Sequence, residues 1–345
     1  MAKKTILGVD IGHDRLKLAL VKGKQVLKTA SVEMPENLLK EGRIASRETM
    51  GELIHNTMKE HGIRANLAGF VLPNETVFVK NVEMPMMTID QLLYNLPFEF
   101  NDYITGEVKE YVFDYAVVSD PDDGKAAEAE PEGEAQENKE PEKLELMAVG
   151  AQRAMLEDAQ ATLRKAGLRL TVTAPAISAY INLIRAQQES LAQVGEEYGI
   201  LDLGYSAIRM YMFNKDKHVA TRALEVGLNS LDNVLADVYG VDQHLAHTYL
   251  MTNFENCHMR EECMQAYENI AVELMRALNF YRFSNRDSTL SDIWLCGGGA
   301  VIQPLAETIG SMLNIQLHTA DELVPDGETI DDCNSFIQAI GITME

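Results

Sequence analysis

This 345-residue chain is short of basic residues, cysteine and tryptophan. Thirty lysines and arginines stand against 53 aspartates and glutamates, a formal charge of −23. A surface of that sign repels phosphate backbones and anionic lipid, which argues against nucleic acid as a partner and against direct membrane insertion. No apolar run approaches the ~20 residues needed to cross a bilayer. The opening MAKKTILGVDIG meets an aspartate too soon for a secretory signal, so a cytoplasmic location is expected. The four cysteines (Cys257, Cys263, Cys296 and Cys333) form no CxxC pair, which argues against zinc and leaves reduced thiols as the reading. His55, His61, His218, His244, His247 and His258 show no ligand spacing and read as packing or surface residues.

Apolar residues make up 46% of the chain, enough to bury about two domains at ~150 residues each. The pattern predicts an α/β protein. Residues 3–33 read as three strands, and 46–61 as a helix with Met50, Leu53, Ile54, Thr57 and Met58 on one face. LAGFVLP (67–73) and ETVFVKNVEMP (75–85) read as strands, followed by a helix capped by Thr88 and broken at Pro97. EYVFDYAVV (110–118) and LELMAVGA (144–151) read as two strands of one hairpin. Between them, residues 119–143 hold ten acidic and three basic residues, three prolines and no aromatic, a composition expected to stay disordered. A helix over 152–166, the strand LRLTVTA and a helix from Pro175 follow.

The pattern of the N-terminus then returns. TILGVDIGHDRLKLALV and YGILDLGYSAIRMYMF both carry Asp-x-Gly, four residues and a base: Asp10, Gly12, Lys17 and Asp202, Gly204, Arg209. Such self-similarity implies two related halves. A tight glycine turn aims backbone N–H groups at one point, and glycine permits positive φ. An aspartate at the strand end suits the water shell of Mg²⁺. Two such hairpins facing across a cleft would grip the β- and γ-phosphates of a nucleotide, with His13 and Ser206 in the turns and Asp10 and Asp202 at the metal. In DIWLCGGGAVIQPLAETIG (292–310) a strand, Gly297, Gly298 and Gly299, and a helix follow one another, a turn that presents backbone to a ligand. It is not GxGxxG, which argues against a dinucleotide. Glu273 and Arg276 lie one helical turn apart, placed either to hydrogen-bond a ribose or to form a surface ion pair.

Two phosphate hairpins, a GGG loop and an ExxR helix resemble the actin-like ATPase superfamily. Within it the chain is similar to the type IV pilus assembly protein PilM family, related to FtsA and GspL. The resemblance rests on Asp10-Ile11-Gly12 with Lys17, on VFVKNVEMPMMTIDQLLYNLPFEFNDYI, on RALEVGLNSLDNVLADVYGVDQHLAHTYL and on SFIQAIGITME. It implies an actin-like ATPase fold with two lobes around a nucleotide cleft and a small inserted α/β subdomain. The implied layout is the first half of lobe 1 over 1–66, the insert over 67–168, a return to lobe 1 over 169–197, lobe 2 over 198–327, and a closing helix over 328–345. It implies binding of ATP with Mg²⁺, and recruitment to the inner face of the cell membrane. There the chain would dock the cytoplasmic N-terminal tail of a PilN-like membrane protein beside other pilus platform proteins. The expected groove lies between the first lobe and the insert, where VEMPMM (82–87) offers adaptable apolar contact.

The sequence departs from the family pattern where serines usually follow DIG: here stand His13, Asp14 and Arg15. An inward Asp14 would repel phosphate. VTAPAISAYI (172–181) offers no carboxylate to orient an attacking water, so weak or lost ATP binding and negligible hydrolysis are expected. The alternatives are a sugar or acetate kinase, or a filament-forming protein, of the same superfamily.

Overall fold

Apolar residues alternate through the first 33 positions, and the chain there folds into antiparallel strands. The computed structural model describes residues 4–40, 42–118, 143–192 and 194–344. β1 (Thr5–Ile11), β2 (Arg15–Lys22) and β3 (Gln25–Glu33) form a meander. A small ribbon, β4 (Leu39–Lys40) and β5 (Arg43–Ile44), leads to α1 (Arg47–Glu60), capped by Ser46. α1 buries Met50, Ile54, Thr57 and Met58, the face marked by its 3.6-residue period. β6 (Leu67–Leu72) then runs parallel to β1.

The chain divides into two compact units, of which Asn74–Asp158 is the smaller. In it β7 (Val77–Pro85), β8 (Tyr111–Val117) and β9 (Lys143–Gln152) make an antiparallel sheet with β9 in the centre. α2 (Ile89–Asn95) starts on a capping box, with Thr88 accepting from the Gln91 N–H while the Gln91 side chain accepts from the Thr88 N–H. Pro97 stands in the 3₁₀ turn that follows, and Leu92, Leu96 and Phe100 pack inward on Val82, Met84, Leu146 and Ala148. VEMPMM is therefore split: Met84 is core and Met86 is exposed. The acidic tract lies outside the described residues, except that Lys143 opens β9.

The insert is shorter at both ends than the expected 67–168. β6 pairs with β1 and with β10 (Arg169–Pro175), so residues 67–72 belong to the first-lobe sheet. The division falls inside α3 (Arg153–Lys165), and the later part of that helix lies against Gly51 of α1. α4 (Ala176–Ala186) and the short α5 (Gln188–Leu191) complete the return.

The second lobe repeats the first. β11 (Glu197–Leu203), β12 (Ile208–Asn214) and β13 (Lys217–Leu224) form a second meander. α6 (Asn229–Tyr239), α7 (Gln243–Thr252) and α8 (Glu261–Ser284) follow. β14 (Asp292–Cys296) runs parallel to β11, and after α9 (Gln303–Leu313) β15 (Gln316–Thr319) runs parallel to β14. The two sheets, β10-β6-β1-β2-β3 and β13-β12-β11-β14-β15, thus share one topology: a three-stranded meander extended by two parallel strands. α10 (Cys333–Gly341) packs on β1, β2 and α4 of the first lobe. It comes so close to β1 that a Cβ on Gly8 would lie 1.7 Å from the Ala339 carbonyl oxygen. Among the described residues no helix is long and apolar enough to cross a membrane.

Candidate functional site

The spacing Asp-x-Gly-x₄-base has a direct structural meaning. In each hairpin it sets the aspartate directly opposite the base: Asp10 faces Lys17 across β1–β2, and Asp202 faces Arg209 across β11–β12. Opposite charges at facing positions of an antiparallel pair attract. Lys17 Nζ lies 3.9 Å from Asp10 Oδ2, with both side chains mostly buried. The glycines serve the turns themselves. Gly12 N–H donates to the Arg15 carbonyl at 3.0 Å, and a Cβ on Gly12 would stand 3.0 Å from that same oxygen. A Cβ on Gly204 would stand 2.7 Å from the Ala207 carbonyl oxygen. Neither glycine has a positive φ, so close backbone approach, not left-handed conformation, is what demands glycine.

The two hairpins meet. His13 Nδ1 lies 3.2 Å from Ser206 Oγ across the lobes. At the strand ends below the tips, the carboxylates of Asp10 and Asp202 feel each other's charge. Burial, the largest influence, raises the pKa of Asp10; Lys17 opposes this and Asp202 adds to it. Asp202 is likewise raised by burial, against the charges of Lys17 and Arg209. Gln338 of α10 donates to Asp202 Oδ2 and to the Tyr180 hydroxyl, each at 2.9 Å, so the closing helix reaches into the centre of the cleft. Cys296, at the end of β14, sits 3.6 Å from the same hydroxyl, and its thiol is pushed far up by burial and by Asp202.

Gly297 has φ 86° and lies against the second hairpin; a Cβ there would stand 2.5 Å from Asp202 Oδ1. Gly299 packs on Leu203 and Leu228, whereas a Cβ on Gly298 would meet nothing nearer than the Leu228 side chain at 3.8 Å. The glycine turn and the second hairpin are therefore one contiguous structure. Glu273 and Arg276 are not drawn into it. They pair with each other on the exposed side of α8, and no hydrogen bond joins them to the hairpins or the turn among the described residues.

Asp14 does not lie free beside the turn. Its carboxylate sits 3.3 Å from His247 Nε2 of α7, and His247 Nδ1 lies 3.1 Å from Asp232 Oδ2 of α6, a carboxylate only 1% exposed. Burial pulls the His247 pKa down, but the hydrogen bonds and charges of Asp14 and Asp232 outweigh it and raise the value to about 10. The Tyr205 ring meets the imidazole edge-on with centroids 5.3 Å apart. Further out, His244 Nδ1 lies 3.1 Å from Glu33 Oε1. Glu33, Met34, Pro35 and Glu36 of the first lobe and Asp242, Gln243 and His244 of the second line a cavity of about 760 Å³.

His247, Asp232 and Gln338 escaped the sequence reading. Gln338 reaches Asp202 across 136 residues and His247 reaches Asp14 from the other lobe, while Asp232 lies 15 residues before His247 on the preceding helix; no spacing marks them. The one available signal was Asp14 itself, a carboxylate in a phosphate-type turn that requires a counter-charge from elsewhere.

Asp10 and Asp202 are the carboxylates that could meet the water shell of a Mg²⁺ ion. Two buried carboxylates held above their ordinary range are the kind of charge a divalent cation relieves, and Mg²⁺ takes few protein ligands while keeping its waters. No cluster of three His, Cys, Asp or Glu suited to a metal occurs among the described residues.

Paired lobes of identical topology, each with an Asp-x-Gly hairpin turned to the other, define an actin-like ATPase fold. The crystal structure of EutJ from Carboxydothermus hydrogenoformans covers 100% of this chain with 90% of its own, at 13% identity and TM-score 0.60. MreB 5 of Spiroplasma citri bound to AMPPNP covers 98% with 94% of its own, at 10% identity and TM-score 0.52. The PilM-PilN type IV pilus biogenesis complex aligns over 98% of this chain and 97% of the matched chain, at 21% identity and TM-score 0.81. At these identities the likenesses show the fold alone. Family membership comes from the sequence: residues 8–325 match the family of the type IV pilus assembly protein PilM, and the chain belongs to it. No curated protein matches the sequence.

Proposed function

We propose that the chain is a cytoplasmic scaffold of a type IV pilus platform. In this reading it docks the cytoplasmic N-terminal tail of a PilN-like membrane protein at the inner face of the membrane, beside other platform proteins. Membership of the PilM family supports the pilus role. The partner is suggested by a similar structure, which is a complex of PilM with PilN.

The cleft between the lobes holds ATP weakly or not at all. Asp10, Gly12, His13 and Lys17 of one hairpin and Asp202, Gly204 and Ser206 of the other would face the phosphates. Gly297, Gly298 and Gly299 would lie beside the nucleoside, with Glu273 and Arg276 at its outer edge. Asp10 and Asp202 would hold the water shell of Mg²⁺, which when bound would screen phosphate charge. The chain's own residues would orient the ligand: Lys17, 3.9 Å from Asp10 Oδ2, is a cation whose charge acts on both carboxylates. The observation that carries this reading is the pair of hairpins meeting at His13 and Ser206, 3.2 Å apart.

Hydrolysis is negligible in this account. Thr173, Ala174 and Pro175 end β10 where a residue orienting the attacking water would be needed, and none is a carboxylate or an amide. Phosphate release from Mg·ATP tests this. The expected result is a rate at background; a clear rate that Asp10→Ala abolishes would overturn it.

A further inference from the structure

In the smaller unit, α2 and the 3₁₀ turn after it are apolar well beyond their buried stripe. Leu92, Leu96 and Phe100, four residues apart, are buried and pack on Val82, Met84, Leu146 and Ala148. A second set of large apolar side chains stays in solvent: Ile89 is 66% exposed, Leu93 42%, Tyr94 74% and Phe98 59%. A surface helix ordinarily turns charged and polar residues outward, and one with so wide an apolar surface is ordinarily covered. Ile89 and Leu93 are four residues apart, as are Tyr94 and Phe98, whose rings meet edge-on with centroids 6.2 Å apart. Rows at that spacing are the ridges against which another helix packs.

The charge around these ridges has one sign. Residues 81–108 hold five acidic residues and no lysine or arginine. Asp90, in the first turn of α2, and Asp102 are exposed. The cations that border the stretch already have carboxylate partners: Lys80 Nζ lies 3.1 Å from Glu99 Oε2, and Lys109 Nζ lies 2.6 Å from Glu107 Oε2. Such a surface selects what covers it. It repels anionic lipid. A second copy would bring the same acids against one another. The chain's own tract over 119–143, with ten acidic residues, has the wrong sign too. An apolar stripe flanked by lysine and arginine complements both the ridges and their charge.

We propose that Ile89, Leu93, Tyr94 and Phe98 form a docking surface for a cationic amphipathic helix of a protein partner. The partner's apolar residues seat on the two ridges, the helix-against-helix mode of recognition. Tyr94 and Phe98 supply most of the affinity, because large aromatic side chains bury much area and lose little freedom. Asp90 and Asp102 face the partner's lysines and arginines, which sets orientation and speeds the encounter. This surface is separate from the docking of a membrane protein's tail proposed above, and it does not depend on that reading.

Fluorescence anisotropy of the full chain with a labelled amphipathic peptide of leucine and lysine, about 14 residues or four helical turns long, tests it. The comparison peptide keeps every lysine and replaces each leucine with serine. Wild type is expected to bind the leucine peptide at least about tenfold more tightly than the serine peptide, a difference of about 1.4 kcal/mol. The double variant Tyr94→Ser/Phe98→Ser removes that advantage, while Phe283→Ser, at another exposed aromatic on α8, keeps it. Asp90→Asn with Asp102→Asn weakens binding about threefold and flattens its salt dependence. Circular dichroism checks that each variant keeps the native fold. Equal affinity for the two peptides, or an advantage that survives Tyr94→Ser/Phe98→Ser, overturns the proposal. A wild-type dimer in sedimentation that this variant dissolves overturns it in favour of a second copy. Phosphatidylglycerol vesicles bound by wild type and released by the variant overturn it in favour of a lipid surface. A PilN-like tail peptide that binds wild type but not the variant overturns the separateness of the surface; tail binding that the variant keeps supports it.

Discussion

His13 and Ser206 are nearly two hundred residues apart in the chain and 3.2 Å apart in space. Their contact joins the tips of two hairpins that are equivalent positions of a repeated topology. Exposed to each other across the lobes, the pair is expected to couple by about 0.5–1.5 kcal/mol, the usual net worth of one hydrogen bond. Urea unfolding of His13→Ala, Ser206→Ala and the double variant measures that coupling. Strictly additive effects would show that the tips do not touch in solution.

Much of this architecture was legible in the sequence, because it depends on local pattern. The Asp-x-Gly-x₄-base spacing is a cross-strand register written along the chain, and it placed both hairpins. The Thr88–Gln91 capping box and Pro97 marked the start of α2 and the end of its regular helix. Strand and helix periodicity do not reveal which sheet an edge strand joins, so LAGFVLP was assigned to the insert although it pairs with β1. The Asp14–His247–Asp232 contact was invisible for the same reason. His247 occupies a helix with no marked apolar stripe, and only the folding of the two lobes onto each other brings Asp14 to it.

The Asp14–His247–Asp232 contact makes stability depend on pH in a definite direction. The folded-state pKa of His247, raised to about 10, lies above its ordinary 6.5. Its contribution is therefore complete below pH 6.5 and is lost as pH rises through about 10. The charges facing it are Asp14 and Asp232, with the Tyr205 hydroxyl, itself raised to about 12, titrating above that window. Wild type is expected to lose on the order of 2–4 kcal/mol more than His247→Gln between pH 6.5 and 10. Chemical denaturation across that range reads the difference; parallel curves for the two proteins would contradict it.

The three glycines of the turn should respond unequally. Gly297 combines positive φ with a Cβ position 2.5 Å from Asp202 Oδ1, while a Cβ on Gly298 would meet nothing nearer than 3.8 Å and its φ is not positive. Gly297→Ala should cost about 2–4 kcal/mol and Gly298→Ala less than about 1 kcal/mol. Thermal unfolding of both variants compares them. Equal losses would mean that the turn does not press on the second hairpin.

In the smaller unit, Thr88→Ala removes the side-chain half of the capping box. The expected loss is about 1 kcal/mol, seen first as faster amide exchange in residues 89–96. Unchanged exchange there would show that α2 is held by Leu92 and Leu96 alone.

The central claim is that this PilM-family chain docks a membrane partner's tail. It is tested most directly by titrating a synthetic peptide, the N-terminal tail of the PilN-like protein encoded in the same genome, into the full chain by calorimetry. The account predicts saturable one-to-one binding with Kd of about 1–50 µM, unchanged in Asp10→Ala. A flat titration at peptide concentrations well above that range would contradict it.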